Sequence, residues 1–276
     1  MTRPYAEVIG DPIAHSKSPL IHNFWLAKLG MDAEYRAERI DKERLPLHLM
    51  QRLRDPAWRG CNVTLPHKLA ALRLVHDVSS DAATVGAINT VIAKGDDSYG
   101  YNTDVAGILE ALPPSLMPPG AEVCLIGTGG AARAALAAFR QRDISLVLFS
   151  ARNLAAATQL QNEFQLGGTV RPIDDAHNIQ TAEVIVNATT LGMKGKDPMP
   201  AEVLKLLSDP MPEAVVFDMV YSPLETPLLL AARLSECRTV DGLQMLVAQA
   251  AAAFELFFGQ SAPREHDAEL RALLTA

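Results

Sequence analysis

The 276-residue sequence contains only three cysteines, and they are far apart. Cys61, Cys124 and Cys237 form no Cys-x-x-Cys pair and show no other spacing that is typical of metal ligands. An odd number of separated cysteines argues against a disulfide framework and indicates buried thiols in a reducing compartment. We therefore expect neither a disulfide scaffold nor a bound metal.

Long apolar runs and basic clusters are also missing. No stretch approaches the roughly 18 consecutive apolar residues of a membrane span, and the apolar stretch 6–10 is too short for the core of a signal peptide. The formal net charge is −7 and no segment is rich in lysine and arginine, so neither nucleic acid nor an anionic membrane is expected as a partner. The cytoplasm is the expected location.

The composition is that of an ordinary globular protein, with 49% hydrophobic and 21% charged residues. This length suits two modest domains. Four prolines and a glycine crowd into residues 113–120, where helix and sheet interiors are both disfavoured. A connection between two domains is predicted there.

Both halves alternate short strands with helices, which predicts an α/β fold. In the first half the predicted strands are 7–9, 34–40, 61–64, 87–93 and 98–101, and the predicted helices are 19–29, 45–53 and one beginning near His67. In the second half the predicted strands are 122–126, 145–150, 169–172, 183–187 and 215–219, and the predicted helices are 131–141, 154–165, 226–234 and 242–258. The order in the second half predicts parallel strands joined by helices.

A glycine-rich turn, Gly-Thr-Gly-Gly-Ala-Ala at 127–132, follows an apolar strand and opens a helix. Gly127 permits a tight turn, Gly129 lets the backbone approach a pyrophosphate, and the small Ala132 allows close packing of helix on strand. The alternative is a purely structural turn. Within a strand-helix-strand unit the pattern favours dinucleotide binding at the helix N-terminus.

The end of the second strand of this unit carries an arginine where NAD-preferring proteins carry an acid. The stretch is Ser150-Ala151-Arg152-Asn153, without the Asp or Glu that holds the ribose 2′-hydroxyl. A guanidinium can pair with a 2′-phosphate, so Arg152 predicts NADP. The alternative is a solvent-exposed arginine without a ligand.

Four polar clusters lie at the ends of strands of the first half, at 15–19, 62–68, 86–90 and 100–104. Ser18 and Pro19 suit the start of a helix, as N-cap and first-turn residue, but Ser16 and Ser18 in an extended segment could also bind a carboxylate or diol. Asn62 and Thr64 alternate on one face of a strand. Each cluster taken alone is more typical of a turn or a cap.

Together the clusters supply an ammonium group at Lys68, a carboxylate at Asp104 and several neutral hydrogen-bonding groups. That set suits a polyhydroxylated substrate and a proton transfer. These clusters, the glycine-rich turn and the segment Asp-Gly-Leu-Gln-Met-Leu-Val-Ala-Gln-Ala at 241–250 occur in the order found in the shikimate dehydrogenase family. The sequence resembles that family over essentially its whole length.

The resemblance implies an NADP-dependent oxidoreductase that reduces 3-dehydroshikimate to shikimate on the route to chorismate and the aromatic amino acids. It implies Lys68 as the catalytic acid/base, with Asp104 paired to it and holding substrate hydroxyls. The substrate residues it implies are Ser16 and Ser18 for the carboxylate, Asn62, Thr64, Asn89 and Gln249 for the hydroxyls, and Tyr221 to close the site. The cofactor residues it implies are Gly127, Thr128, Gly129, Gly130, Ala131, Ser150, Ala151, Arg152, Asn153, Met219 and Gly242.

The family fold implies an N-terminal α/β substrate domain, 1–105 with 243–276, and a Rossmann-type, doubly wound parallel-sheet NADP domain, 106–242. The helix 242–258 would return to the substrate domain and leave the active site between the domains. The protein would be a monomer or a homodimer whose partner is the small-molecule substrate.

Four positions depart from the family pattern. Ala151 and Asn153 replace the usual neighbours of the arginine, Val105 replaces a common glycine, and Gln244 replaces another glycine. Selectivity for NADP is therefore expected to be weaker than usual. A quinate/shikimate dehydrogenase is the nearest alternative; a non-catalytic NADP-binding regulator would need neither Lys68 nor Asp104.

Overall fold

A computed structural model describes residues 3–175, 177–208, 211 and 213–276. The chain divides into two compact units: unit 1 is Met1–Thr103 with Gln249–Ala276, and unit 2 is Asp104–Ala248. Positions 1, 2, 176, 209, 210 and 212 of the two predicted domains lie outside the described residues. The substrate and cofactor roles expected of the two domains stay predictions.

Unit 1 begins with ten helices and strands. They are β1 Tyr5–Gly10, α1 Ser18–Lys28, β2 Glu34–Arg39, α2 Leu45–Leu53, β3 Trp58–Val63, α3 Lys68–Ala71, β4 Asp77–Val78, α4 Ser80–Val85, β5 Thr90–Lys94 and β6 Asp97–Tyr101. The predicted strand 87–93 begins only at β5, because α4 continues to Val85 and ends at Gly86, whose φ of 69° is left-handed.

The six strands of unit 1 form a mixed sheet in the order β2-β1-β3-β5-β6-β4. β1 is parallel to β2 and β3, whereas β5 is antiparallel to both β3 and β6. The carboxyl ends of β1, β3 and β6 therefore meet the amino end of β5 at one edge, which we call the polar edge. Alternate residues of β1 enter two apolar clusters, Tyr5 and Ile9 on one face, Ala6 and Val8 on the other, so both faces of the sheet are covered.

Unit 2 contains six strands and six helices among its described residues. They are α5 Asp104–Ala111, β7 Val123–Ile126, α6 Gly130–Gln141, β8 Val147–Ala151, α7 Leu154–Glu163, β9 Val170–Pro172, α8 Asn178–Thr181, β10 Val184–Asn187, α9 Ala201–Leu206, β11 Val215–Asp218, α10 Pro227–Leu234 and β12 Arg238–Asp241. The helix α11 Gly242–Phe258 then runs from unit 2 into unit 1, and a 3-10 turn at Arg264–His266 leads to α12 Asp267–Thr275.

The sheet of unit 2 is entirely parallel, in the order β12-β11-β10-β7-β8-β9. Counted within the unit this is the doubly wound order 3-2-1-4-5-6 read from β9, which confirms the predicted α/β class and the Rossmann-type sheet. Every residue of β7, β10 and β11 is buried, as expected of parallel strands covered on both faces.

The three cysteines are buried free thiols, as predicted. Burial raises the pKa of Cys124 to about 12 and the pKa of Cys61 well above its ordinary value. Burial also raises the pKa of Cys237. Within the described ranges, no helix combines the length and the apolar character that a membrane span requires.

Candidate active site

The four polar clusters of the first half all lie at the polar edge of unit 1. The segment 15–18 follows β1, Thr64 follows β3, Asn89 precedes β5 and Asn102 follows β6. The second and third clusters are joined by a cross-strand pair, since Thr90 lies opposite Asn62 on β3. The topology of the sheet thus gathers residues that are up to about 90 positions apart.

Five buried polar side chains of this edge form a continuous hydrogen-bonded chain, which we call the amide network. Asn62 Nδ2 donates to Thr90 Oγ1 at 2.9 Å, and Thr90 Oγ1 donates to Asn89 Oδ1 at 2.9 Å. Asn89 Nδ2 donates to Thr103 Oγ1 at 3.0 Å, and Thr103 Oγ1 donates to Gln249 Oε1 at 3.3 Å. Each of the five is at most 8% exposed, so the network holds its members in fixed orientations.

Tyr35, on β2, is a member of the site that sequence reasoning missed. Its hydroxyl donates to Asn62 Oδ1 at 2.5 Å, and its ring stacks on His22 with 4.0 Å between centroids. Burial raises the pKa of Tyr35 well above its ordinary value, so the hydroxyl stays protonated and available as a donor. The sequence carries no motif for this contact, because it depends on the lateral order of β2, β1 and β3.

The serine pair near α1 differs from the prediction in two respects. Lys17, with φ −83° and ψ −8°, occupies the N-cap position, and Ser18 is the first residue of the helix; the prediction that Ser18 caps the helix is wrong. The segment is also a turn rather than extended, since Ser16 N donates to Ile13 O at 3.0 Å. Ser18 N donates to Ser16 Oγ at 3.3 Å, so the turn brings the two serines together.

Lys68 opens the single-turn helix α3, directly after a buried anchor. The ring Nε2 of His67 lies 2.6 Å from Ile40 O, and His67 is fully buried. The predicted strand 61–64 ends one residue earlier, at Val63, so Thr64 lies just beyond β3, although its backbone N still donates to Ile9 O at 3.0 Å. Lys68 belongs to unit 1, whereas Asp104, 7% exposed, begins α5 of unit 2. Their pairing stays a prediction.

The glycine-rich turn of unit 2 has the geometry of a phosphate cradle. Gly127 has a φ of 114°, and a Cβ there would lie 2.6 Å from Thr189 Cγ2, so the turn requires glycine. A Cβ on Gly129 or Gly130 would meet no described atom within 4 Å. Gly129 is also the N-cap of the 12-residue helix α6 and has no side chain with which to cap it. Open space over uncapped amide groups fits an anion such as a pyrophosphate.

A buried network holds the loop after β10 against this turn. Asn187 Nδ2 donates to Asp218 Oδ1 at 2.9 Å, Thr226 Oγ1 donates to Asp218 Oδ2 at 2.6 Å, and Thr189 Oγ1 donates to Asn187 Oδ1 at 2.7 Å. Burial raises the pKa of Asp218, against the lowering effect of these bonds. β7 and β10 are the neighbours at which the strand order reverses, where doubly wound sheets bind ligands.

The stretch 150–153, at the end of β8, contains both buried and exposed residues. Ser150 and Ala151 are buried in the strand, and Asn153 caps α7 by accepting a bond from Ala156 N at 3.0 Å. Arg152 is exposed, and its Nη1 lies 3.3 Å from Asp197 Oδ2. Arg152 is therefore the residue of this stretch that presents a charged side chain to the surface.

Two further predicted cofactor residues contact each other at the start of α11. A Cβ on Gly242 would lie 2.4 Å from the carbonyl oxygen of Met219, so close packing alone requires a glycine at this position. Asp241 Oδ1 accepts from Leu243 N at 3.0 Å and so caps the helix.

Tyr221, half-buried, follows β11, and burial raises its pKa. No group of three or more His, Cys, Asp or Glu side chains that could hold a metal occurs in the described part of the chain.

Comparisons with known proteins agree with this architecture. Residues 8–91 match the shikimate dehydrogenase substrate binding domain, and residues 242–269 match the shikimate 5′-dehydrogenase C-terminal domain. A shikimate dehydrogenase (NADP⁺) of Sphingopyxis alaskensis is 47% identical over 99% of this chain and 97% of its own, and one of Cereibacter sphaeroides is 40% identical over 100% and 99%.

Solved structures give the same result. Shikimate 5-dehydrogenase of Thermus thermophilus, in complex with NADP(H) and shikimate, superposes with a TM-score of 0.86 at 35% identity, covering 98% of this chain and 99% of its own. The Listeria monocytogenes enzyme, in complex with shikimate and NAD, has a TM-score of 0.85 at 29% identity, covering 99% and 96%. The chain belongs to the shikimate dehydrogenase family.

Proposed function

We propose that the protein is an NADP-dependent shikimate dehydrogenase that reversibly reduces 3-dehydroshikimate to shikimate, within the biosynthesis of chorismate and the aromatic amino acids. The proposal rests on one observation: this chain, a member of the family, has both a buried amide network in unit 1 and an open phosphate cradle in unit 2. The first suits a polyhydroxylated ring, and the second suits a dinucleotide.

Substrate recognition is assigned to the polar edge. The turn that brings Ser16 and Ser18 together would present two hydroxyl donors to the substrate carboxylate. Thr64, Asn89 and Gln249 would bind the ring hydroxyls. Asn62 already donates to Thr90 and accepts from Tyr35, so its contribution is chiefly to orient its neighbours, with the second lone pair of Oδ1 left for a hydroxyl. Tyr221 would close the site.

The proton transfer is assigned to Lys68, with Asp104 as its partner. NADPH, when bound, would supply the hydride that the carbonyl carbon accepts. The carbonyl oxygen gains negative charge as the hydride arrives, and the ammonium group of Lys68 would donate a proton to it. The Asp104 carboxylate would hold a substrate hydroxyl and orient the ammonium group of Lys68. In the reverse direction Lys68 would take the proton back.

The cofactor is NADP. Its pyrophosphate would lie over the N-terminus of α6, against the backbone of Gly127, Thr128, Gly129, Gly130 and Ala131. Arg152 would pair with the 2′-phosphate, because its guanidinium is exposed whereas Ser150 and Ala151 are buried and Asn153 is engaged as a helix cap. Met219 and Gly242 would line the nicotinamide side. The cytoplasm as location and a monomeric or homodimeric state are part of the proposal.

The test is to follow the reduction of NADP⁺ and of NAD⁺ by absorbance, with shikimate, with quinate and with buffer alone. We expect turnover with shikimate and NADP⁺, and little with quinate. Comparable kcat/KM values for the two acids would instead favour a quinate/shikimate dehydrogenase. Binding of NADP⁺ without turnover of either acid would favour a non-catalytic regulator and overturn the proposal.

A further inference from the structure

Arg152, the residue proposed to bind the 2′-phosphate, is already engaged by a carboxylate in this structure. Its Nη1 lies 3.3 Å from Asp197 Oδ2, and the two side chains are 63% and 74% exposed. Asp197 lies on the loop between β10 and α9, which is 45 positions away in the sequence. A 2′-phosphate and this carboxylate therefore compete for one guanidinium group.

The backbone holds Asp197 in place. The carbonyl oxygen of Asp197 accepts from Gly192 N at 2.8 Å, which closes the loop on itself, and Lys194 N donates to Ser222 O at 2.8 Å, which ties the loop to the segment after β11. The carboxylate is thus presented beside Arg152 by a bonded turn. Lys194 and Lys196 lie on the same loop and are exposed; their charges favour an anion nearby, and Asp197 opposes them.

From this geometry we infer that Asp197 is a specificity-determining residue that weakens the preference of the protein for NADP over NAD. The inference rests on the proposed function, since it takes Arg152 as the contact of the adenosine ribose. The acid that binds the ribose 2′-hydroxyl in NAD-preferring proteins is missing after β8. Asp197 supplies a carboxylate to the same place from another loop, where it occupies the Arg152 guanidinium that a 2′-phosphate would need and can accept a bond from a 2′-hydroxyl.

The expected effect is modest because both side chains are exposed. Exposed ion pairs contribute little, typically equivalent to factors of about two to five in an equilibrium constant. Replacing Asp197 by Asn should therefore lower the Kd for NADP⁺ by about two- to fivefold and leave the Kd for NAD⁺ unchanged or slightly raised. The gain for NADP⁺ should shrink at high ionic strength, because salt screens exposed charges.

The experiment is isothermal titration calorimetry of the full chain with NADP⁺ and with NAD⁺, for wild type, Asp197→Asn, Arg152→Ala and the double variant. Asp143→Asn is the matched control: it removes one carboxylate from the same unit at the opposite end of β8, and asparagine tolerates the φ of 56° at that position. We expect Asp197→Asn to raise the selectivity for NADP⁺ only when Arg152 is present.

An unchanged ratio of the two Kd values in Asp197→Asn, or the same change in Asp143→Asn, would overturn the role of Asp197. The same gain in the Arg152→Ala background would also overturn it, because the carboxylate would then act independently of the guanidinium. Wild-type protein that binds neither dinucleotide would overturn the proposed function and the role of Asp197 together. A wild type that binds NADP⁺ but shows no response to Asp197→Asn would count against Asp197 alone.

Discussion

The two units build their sheet edges from different chemistry. Unit 1 buries polar side chains at its polar edge and ties them to one another, as in the bond from Asn89 Nδ2 to Thr103 Oγ1. Unit 2 buries apolar strands and leaves backbone amide groups open at Gly129 and Gly130. The difference supports the proposal that unit 1 would recognise its ligand through side chains and unit 2 through its backbone.

A second difference concerns the buried carboxylates of the two sheets. Burial alone would raise the pKa of Glu7, on β1, but hydrogen bonds from His48 and Arg52 outweigh it and hold that pKa below its ordinary value. Asp218, on β11, has only neutral partners in Thr226 and Asn187, and burial raises its pKa. The charge of the partners, not the depth of burial, decides the direction.

The largest expected effect is the loss of activity when Lys68, the proposed acid of unit 1, is replaced. Lys68→Met should lower kcat by about 1,000-fold, because a positioned acid typically contributes two to four orders of magnitude. KM for shikimate should change much less. Steady-state kinetics measures both constants, and Asp104→Asn should also lower kcat.

Lys94→Met is the matched control, since it removes an exposed lysine at the end of β5 in the same unit. It should retain the activity of the wild type. Near wild-type kcat in Lys68→Met would reassign Lys68 as a surface residue and leave unit 1 without its acid.

The buried carboxylates should respond to pH in opposite senses. The lowered pKa of Glu7 means that its stabilisation is present above the ordinary glutamate pKa and is lost as the pH falls through the folded-state value. Glu7→Gln should therefore cost about 2 kcal/mol at neutral pH and progressively less in acid. Urea unfolding midpoints measured between neutral and acid pH would show the difference.

Asp218→Asn provides the contrast. The raised pKa of Asp218 means that its favourable contribution is present at low pH and is lost as the pH rises through the folded-state value. The neutral amide should then be tolerated best near neutral pH. A larger loss of stability at neutral pH in Asp218→Asn than in Glu7→Gln would refute this account of the two sheets.

The backbone character of unit 2 is tested by two glycines with different surroundings. Gly129→Ala places a Cβ in open space, at a φ of −84° that alanine readily adopts, so Tm should not fall. The same Cβ would enter the space assigned to the pyrophosphate and should raise the Kd for NADP⁺ by about tenfold, the equivalent of one hydrogen bond lost.

Gly242→Ala, in contrast, should lower Tm, since its Cβ would lie 2.4 Å from Met219 O and would clash with it. Calorimetry measures the Kd for NADP⁺ of both variants, and thermal melts measure their Tm. Unchanged NADP⁺ affinity in Gly129→Ala would mean that the cradle over α6 does not hold the pyrophosphate.

The smallest expected effect is that of Tyr35→Phe, which tests the amide network. Tyr35→Phe removes the bond to Asn62 Oδ1 while keeping the ring stacked on His22. KM for shikimate should rise about three- to fivefold, within the range of one neutral hydrogen bond, and kcat should stay within about a factor of two of the wild type.

Tyr99→Phe on β6, outside the network, is the control and should leave both constants unchanged. If Tyr35→Phe lowered both kcat and Tm but left KM unchanged, Tyr35 would support the core only.

Local patterns were predictable from the sequence, and lateral contacts were not. The turn at Gly127 depends on a few adjacent residues, and its strand-turn-helix context was correct. Tyr35 and Asp197 reach their partners Asn62 and Arg152 through the order of strands and loops, which no spacing along the chain encodes. Ser18 was predicted as an N-cap because its residue type prefers that position, but the helix starts one residue earlier than expected.

Short elements were also missed. β12, Arg238–Asp241, and α4, Ser80–Val85, are too brief for periodicity to identify. The helix α5 begins at Asp104, which stands in the sequence as the last residue of a polar cluster. A carboxylate in the first turn of a helix is favourable, and this residue type was the available sign that a helix starts there.

The buried state of the three cysteines has a practical consequence for work with this protein. Thiolate, not thiol, reacts with oxidants and alkylating reagents, and burial raises the pKa of Cys61, Cys124 and Cys237. The folded protein should therefore withstand peroxide and maleimide reagents without loss of its native thiols. A single cysteine introduced at an exposed position would then take up a fluorescent or spin label selectively, with all three native cysteines left in place.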